Sequence, residues 1–445
     1  MPVRARPAGG LATAAAAPHT TARDACAPGA DAPLRVCMVT TFYPPHNFGG
    51  DGVGTQRLAR ALVRRGHHVT VVHDVDAYNA LHHGPEPAAL DDDEGVRVVR
   101  LKSGLGTLSP LMTQQLGRPV ANRRALRALL EDGGFDVIHY NNVSLVGGPG
   151  VLAYGSPRAV KVYEAHEHWL VCPSHVLWRH GKEPCAGREC LRCVLNARRP
   201  PQLWRYTGLL ERNLRHVDLF IAKSEFSRRK HLEFGFSRPM EVLPYFLPDP
   251  APGTEVERAR PAPSRPYFLF VGRLERIKGL DDVLPLFHAY EDADLVVAGE
   301  GEYGEHLRQL AAGNPRVRFL GHVTGDRLAQ LYAGATALIV PSVCFETFGI
   351  ILIEAFRRGT PVIARRIGPF PEIVERAGAG LLFDDAAGLL AAMRRLQGDD
   401  GLRTDFATRG FDSFRRFWSE SAVVPRYLEL VEAVASAPVH VRRNP

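Results

Sequence analysis

The sequence predicts an α/β protein built from two doubly wound units, each a mostly parallel sheet with helices on both faces, opposed across a cleft. Three observations carry this. Strand, turn and helix alternate along the chain, stop, and alternate again, the pattern of parallel sheets wound through crossover helices. A stretch of proline and charge, "PDPAPGTEVERARPAPSRP" at 248–266, separates the two runs and reads as a linker. A chain of 445 residues with 45% hydrophobic content exceeds one ordinary domain and can fill two cores.

Residues 1–32 are rich in Ala, Pro and Gly with little to bury and are expected to form a disordered tail. "LATAAAAP" is too weakly apolar for a signal-peptide core, and no apolar run approaches the ~20 residues of a membrane span, so a cytoplasmic protein is expected. The first unit, 33–247, opens with the buried strand "LRVCMVTTFY" (34–43), the Pro/Gly loop "PPHNFGGDGVGTQ" and a helix over 53–66 ended by Gly66. "HHVTVVH", "VRVVRL", "FDVIHY", "AVKVYEA", "DLFIAK" and "MEVLPY" follow as strands. Beyond the linker (248–265) the second unit, 266–411, has strands "YFLFVGR", "ADLVVAGE", "VRFLG", "ATALIVPS" and "TPVIAR", with helices "GDRLAQLYAGA" and "FGIILIEAFRRG". A helical segment at 412–437 is expected to pack back on the first unit, before a tail at 438–445. Ligands of such sheets bind beyond the carboxyl ends of the strands.

The net charge is +7, carried almost wholly by Arg. That balance suits a protein that handles phosphates or touches anionic lipid, and it is weak support for nucleic-acid binding. The basic helix in "RPVANRRALRALLEDGG" (118–134) is a candidate lipid contact, or a solvated face. The short acid strings "DVD" (74–76) and "DDD" (91–93) read as a strand end and a solvated loop rather than a metal site.

Two stretches of the second unit carry chemistry. "VGRLERIKG" (271–279) places Arg273 and Lys278 just past a strand end, where two cations backed by helix amides suit a diphosphate. In "PSVCFETFGIILIEAFRRGTPVIA" (341–364), Glu346 lies at a strand-to-helix turn and Glu354 in an otherwise apolar helix. A buried carboxylate is costly unless hydrogen-bonded, and neighbouring sugar hydroxyls would satisfy one. Between the acids, Phe348, Gly349 and Ile350 offer backbone N–H groups at a helix start, with Gly allowing close approach. A helix cap and an Arg-paired acid would also account for the two glutamates.

Taken together and in order, these motifs resemble the retaining GT-B glycosyltransferases of the large group called family 4, over most of residues 34–436. Glu346 and Glu354 match its E-x7-E motif, and "GRLERIKG" its G-R-L-x3-K-G motif. "VVAGEGEYGEHL", "VRFLGHV", "GPFPEIVERAGAGLLF", "FGGDGVGTQRLARALVRRGHHVTVV", "DVIHYNN" and "AKSEFSRR" fall in the expected order. The resemblance implies two Rossmann-like domains and a nucleotide-diphosphate sugar as donor. The acceptor would be a hydroxyl of a saccharide, a lipid-linked sugar or a natural product, and catalysis would need no cofactor. It implies that Arg273 and Lys278 hold the donor diphosphate, Glu354 the ribose and Glu346 the transferred sugar. Backbone near His322 and Val323 would meet the base, Gly49 and Gly50 would let the first loop close over the diphosphate, and His166 would face the sugar. Two departures bear on the donor: Pro369 stands where many members have a second Gly, and "LPYFLPD" lacks a common Asn-Gly pair.

Three other functions fit the residues less well. An NAD-dependent oxidoreductase would use "GGDGVG" and Asp74, but Thr55 stands where the third Gly belongs. A pyridoxal-phosphate phosphorylase needs a Schiff-base Lys, and Lys278, the last Lys in the chain, belongs to the diphosphate motif. A zinc-containing nucleic-acid-binding module would explain the cysteines and the charge, not two α/β units. "HEHW" (166–169) is not the zinc-protease motif, because Leu170 takes the second His position. Within the loop 166–200, Cys172, Cys185, Cys190 and Cys193 supply four thiolates. They are expected to form a closed structural zinc site that staples the loop, with free thiols or a redox pair as the alternatives. Glu167 and Trp169 are expected on the acceptor side.

Overall fold

The computed structural model of the protein describes residues 32–82, 84–88, 92–251, 253 and 265–437. The expected N-terminal tail up to residue 31, most of the linker and the tail at 438–445 lie outside them. The strands of the first half are β1 Arg35–Val39, β2 His68–Asp74, β3 Asp92–Asp93, β4 Val96–Leu101, β5 Val137–Tyr140 and β6 Val160–Ala165. A small hairpin follows, β7 Trp178–Arg179 and β8 Glu183–Pro184, then β9 Leu219–Ala222 and β10 Glu241–Val242. The second half has β11 Tyr267–Val271, β12 Asp294–Ala298, β13 Val317–Phe319, β14 Ala337–Val340, β15 Val362–Arg365 and β16 Gly380–Phe383.

The helices of the first half are α1 Gly50–Arg64, α2 Val75–Leu81, α3 Leu108–Leu116, α4 Arg123–Asp132, α5 Cys190–Asn196, α6 Leu209–Leu214 and α7 Glu225–Glu233. Those of the second are α8 Gly304–Leu310, α9 Gly325–Gly334, α10 Ile350–Arg357, α11 Phe370–Ala377 and α12 Ala386–Gly398. Two more close the chain, α13 Asp400–Phe417 and α14 Glu420–Ala435.

The first sheet runs β10-β9-β6-β5-β1-β2-β4-β3 and the second β13-β12-β11-β14-β15-β16. Every neighbouring pair in both is parallel except β3 with β4. The fold is the expected one, two Rossmann-like doubly wound units. Strand order reverses between β1 and β5 and again between β11 and β14, and a crevice forms at the carboxyl ends of such strands. The sequence reading missed β16, whose "GLLF" is short, next to a helix end and only partly buried.

Alternate residues of β1 point to opposite faces. Cys37 and Val39 join one core, with Tyr140, Tyr163 and Trp169. Val36 and Met38 join another, with Leu58, Leu62 and, from α14, Val424, Tyr427 and Val431. The last helix is therefore core to the first half. Helix α13 instead packs on the second half, Phe414 and Trp418 sharing a core with Phe356 of α10. The crossing back is pinned at one point: Leu247 and Ser419 form a bridge, with Leu247 N–H on the Trp418 carbonyl at 3.0 Å and Glu420 N–H on the Leu247 carbonyl at 2.9 Å.

Candidate active site

The turns leaving β11 and β14 meet because of one glycine. Gly279 has φ +74°, and a Cβ there would fall 2.1 Å from the Pro341 carbonyl oxygen, so any side chain would push the turns apart. Val343 N–H completes the contact on the Ile277 carbonyl at 2.9 Å. Lys278, at the end of the 3-10 turn Arg276–Lys278, thereby reaches Glu346, Nζ to Oε1 at 2.6 Å. Glu346 also accepts from Ser342 Oγ at 3.3 Å. Burial alone would favour the neutral form of each group, but the opposite charge outweighs it: the Lys278 ammonium rises above its usual range and the Glu346 carboxyl falls below. Both therefore carry full charge at neutral pH. Arg273 stands nearby, more than half exposed, bonded to Glu275 at 2.8 Å.

Helix α10 starts at the same place. Its N-cap is Gly349, with φ +119°, and a Cβ there would lie 2.9 Å from the Phe370 ring, so only glycine fits. Phe348 is buried against Tyr245, ring centroids 5.7 Å apart. One turn on, Glu354 accepts from Tyr332 Oη at 2.9 Å and faces Arg57 of α1 at 3.6 Å. Its carboxylate is thus satisfied in part by the first half of the chain. His322 is exposed, its N–H donating to Glu300 Oε1 at 3.1 Å, and Val323 is buried; both follow the carboxyl end of β13.

From the opposite side, α1 comes down on α10. Gly49 is its N-cap in extended backbone, and a Cβ on Gly50 would lie 3.0 Å from Ile350 Cδ1. One turn along, a Cβ on Gly54 would strike the Tyr245 ring at 2.5 Å. The glycine loop and the acid-bearing helix therefore face each other closely.

His166 lies just past β6, 7% exposed. Its ring does not point a free nitrogen into the cleft. Nε2 faces Asn141 Oδ1 at 2.8 Å and Glu164 Oε2 at 3.4 Å, both acceptors, so Nε2 carries the proton. Nδ1 then accepts from Tyr245 Oη at 2.5 Å. Burial pushes the imidazole down to about 4, against the opposing pull of Asp51 and Glu167, so it is neutral at neutral pH. A sugar hydroxyl would reach the ring only by displacing Asn141 or Tyr245. What His166 hands across the cleft is its carbonyl, which accepts from Thr347 Oγ1 at 2.8 Å.

The four cysteines depart from expectation. Among the described residues no group of three or more His, Cys, Asp and Glu side chains is placed to hold a metal. Three of the thiols take separate partners instead. Cys172 Sγ meets Ser174 Oγ at 3.3 Å, Cys185 donates to the Gly187 carbonyl at 3.1 Å, and Cys193 accepts from His180 N–H at 3.2 Å. Burial raises the Cys185 and Cys190 thiols, and the neighbouring sulfurs add to it. The four sulfurs are close enough to sense one another but are not arranged as a tetrahedral centre requires. Trp169 is not on the acceptor side either: it is core, stacked with Tyr163 and under the Arg205 guanidinium.

A family model described as Glycosyltransferase Family 4 matches residues 48–249, and one described as Glycosyl transferases group 1 matches 265–399. The chain belongs to the GT-B glycosyltransferases. Among curated relatives, an uncharacterized glycosyltransferase of Methanocaldococcus jannaschii is 24% identical over 78% of this chain and 84% of its own length. A D-inositol 3-phosphate glycosyltransferase of Corynebacterium kroppenstedtii is 28% identical over 71% of each. Sucrose-phosphate synthase of Thermosynechococcus elongatus shares the fold with a TM-score of 0.67 at 20% identity, over 91% of this chain and all of its own. The Anabaena protein HepE, solved with UDP-glucose, does so with a TM-score of 0.61 at 18% identity, over 90% and 100%.

The oxidoreductase alternative fails on geometry. In this transferase Asp74 is 1% exposed and caps α2, accepting from Ala77 N–H at 3.1 Å, so no ribose can reach it. Burial pushes its carboxyl up to about 7. A carboxyl raised on folding binds protons more tightly in the native state, so stability falls as pH climbs from the unfolded value near 4 to about 7. Asp74→Asn keeps a capping oxygen and removes that titration. Thermal melts from pH 4.5 to 8 are expected to fall less steeply with pH in Asp74→Asn than in wild type; parallel curves would contradict the assignment.

Proposed function

We propose that this transferase is a retaining enzyme that moves a sugar from a nucleotide-diphosphate donor to a hydroxyl of a saccharide, lipid-linked sugar or natural product. The observation that carries the reading is the Lys278–Glu346 pair at the entrance to α10, with Arg273 beside it and the glycine loop of α1 opposite. In this reading Lys278 and Arg273 bind the diphosphate and stabilise it as it leaves, and this preorganised charge supplies most of the acceleration. Glu346, kept ionised by Lys278, orients the sugar hydroxyls. Glu354 takes the ribose, and backbone at His322 and Val323 the base. Gly49 and Gly50 let α1 approach the phosphates. The acceptor oxygen bonds to the anomeric carbon on the face from which the diphosphate departs, and its proton passes to a phosphate oxygen, so configuration is retained. Closure of the two halves excludes water. That HepE was solved with UDP-glucose supports a nucleotide-sugar donor of this general type.

A thermal-shift screen of UDP, GDP, ADP and TDP identifies the base, and release of that diphosphate from matching sugar nucleotides measures turnover. Lys278→Ala and Glu346→Ala are each expected to lower turnover at least ~100-fold, a loss typical of one removed transition-state contact, with unchanged circular dichroism. Turnover at the wild-type rate in either would refute the assignment.

The surface of the first half supports an acceptor presented at a membrane. No helix among the described residues is long and apolar enough to cross a bilayer. Helix α3 has no charged residue and exposes Leu108, Leu111, Met112 and Leu116, one face at helical spacing. The 3-10 turn Leu203–Tyr206 packs beside it, Trp204 Nε1 donating to the Gln114 carbonyl at 2.7 Å, and adds exposed Leu203 and Tyr206. The nearby cations Arg118, Arg198 and Arg199 are exposed. Apolar groups flanked by cations suit an anionic bilayer surface. α4, the basic helix singled out in the sequence, is less suited: its Leu126 and Leu130 are buried and Arg127 pairs with Glu131 at 2.8 Å. Sedimentation with phosphatidylglycerol vesicles is expected for wild type and lost in Leu108→Ser/Met112→Ser; equal sedimentation of both, or of neither, would overturn this surface.

A further inference from the structure

The two strand ends that reach the second half are bolted together by an ion pair that has no part in the mechanism proposed above. β6 and β9 are neighbours in parallel register, Glu164 beside Ile221 and Ala165 beside Ala222. Glu164 on β6 and Lys223, one residue past β9, meet as an ion pair whose side chains are 3% and 4% exposed. Lys223 Nζ also reaches the Leu243 carbonyl at 3.5 Å and lies 4.4 Å from the Tyr245 ring centroid. The second Glu164 oxygen faces His139 Nε2 at 3.2 Å and His166 Nε2 at 3.4 Å. An apolar pair of equal volume would hold two strands together as well or better, so stability alone does not explain these charges.

Their position does. One residue beyond Lys223, Ser224 Oγ donates to the Thr347 carbonyl at 2.6 Å. Two residues beyond Glu164, the His166 carbonyl accepts from Thr347 Oγ1 at 2.8 Å. Adjacent strand ends thus grip both the side chain and the peptide of a single residue, and that residue stands between Glu346 and Phe348. Helix α7, which Ser224 caps by accepting from Ser227 N–H, is held by the second half as well: Glu225 N–H and Phe226 N–H donate to the Glu372 carboxylate at 3.1 and 2.9 Å.

We propose that the Glu164–Lys223 pair is a positioning element: it fixes the spacing of β6 and β9 so that His166 and Ser224 clamp Thr347, which sets Glu346 in place against Lys278. Its consequence for sugar transfer rests on the function proposed above; the clamp itself does not. Both residues of the pair act through Thr347.

The test is amide hydrogen exchange followed by mass spectrometry on the ligand-free full chain, so it stands whatever the protein's substrates prove to be. The double variant Glu164→Gln/Lys223→Met removes both charges without leaving one buried and unpaired. Ser224→Ala and Thr347→Val open the clamp from either side and leave the pair intact. In all three, peptides covering 341–350 are expected to exchange at least about tenfold faster, while β11 and β12 of the same half keep wild-type rates. Faster exchange confined to the first half in the double variant, or spread evenly through both halves, would overturn the proposal. So would wild-type exchange at 341–350 in both Ser224→Ala and Thr347→Val.

Discussion

The meeting of Lys278 and Glu346 is the contact around which the rest of the cleft is arranged. Two opposite charges at a 2.6 Å separation hold the turns after β11 and β14 in one relation, and the glycine at 279 is what lets those turns approach. With the pair formed, both groups remain ionised in a half-buried place. An anion arriving there meets an ammonium already oriented, and a neutral polyol meets a carboxylate already desolvated. Pre-set charge of this kind costs no reorganisation when a bond breaks. The second acid, Glu354, is set one turn into α10, with Tyr332 and Arg57 as partners.

The two halves touch through polar groups, through glycines and through two aromatic pairs, Tyr245 with Phe348 and Phe226 with Phe345. Arg57 with Glu354, Thr347 with His166 and Ser224, and Glu372 with the start of α7 are all hydrogen bonds or ion pairs. The polar contacts among these, Arg57 with Glu354 and Thr347 with His166, re-form with water or ligand at modest net cost. By contrast, α14 is fastened to the first half by Val424, Tyr427 and Val431 in its core and by Glu420 to Arg65 at 2.8 Å. The chain therefore crosses between halves at a fixed seam and meets again at an adaptable one.

Much of the cleft was legible in the sequence because its residues announce themselves locally. Arg273, Lys278, Glu346 and Glu354 are charges set among apolar residues at strand and helix ends, and their spacing and order made them candidates through the family resemblance. The residues that were missed gain their meaning from partners far away. Tyr245 matters through His166, 79 residues earlier, and its one signal was the break in the expected Asn-Gly pair. Thr347 matters through a carbonyl 181 residues distant, and Glu164 and Lys223 read as ordinary strand residues until their strands are paired. The cysteines show the converse: closeness in sequence suggested a metal centre, but Cys172, Cys185 and Cys193 each take a separate partner in the loop. His166 lies just past β6, its ring bonded on both sides, and its carbonyl makes the interdomain contact.

The proposed role of Lys278 is to recognise a diphosphate and not the nucleoside attached to it. Titration calorimetry of the Lys278→Ala protein against uridine diphosphate and uridine, or the matching pair for whichever base the protein prefers, separates the two. The diphosphate is expected to lose about tenfold to a hundredfold in affinity, the size of one charge-assisted contact, while the nucleoside is unaffected. Undiminished diphosphate affinity, or an equal loss for both ligands, would contradict it.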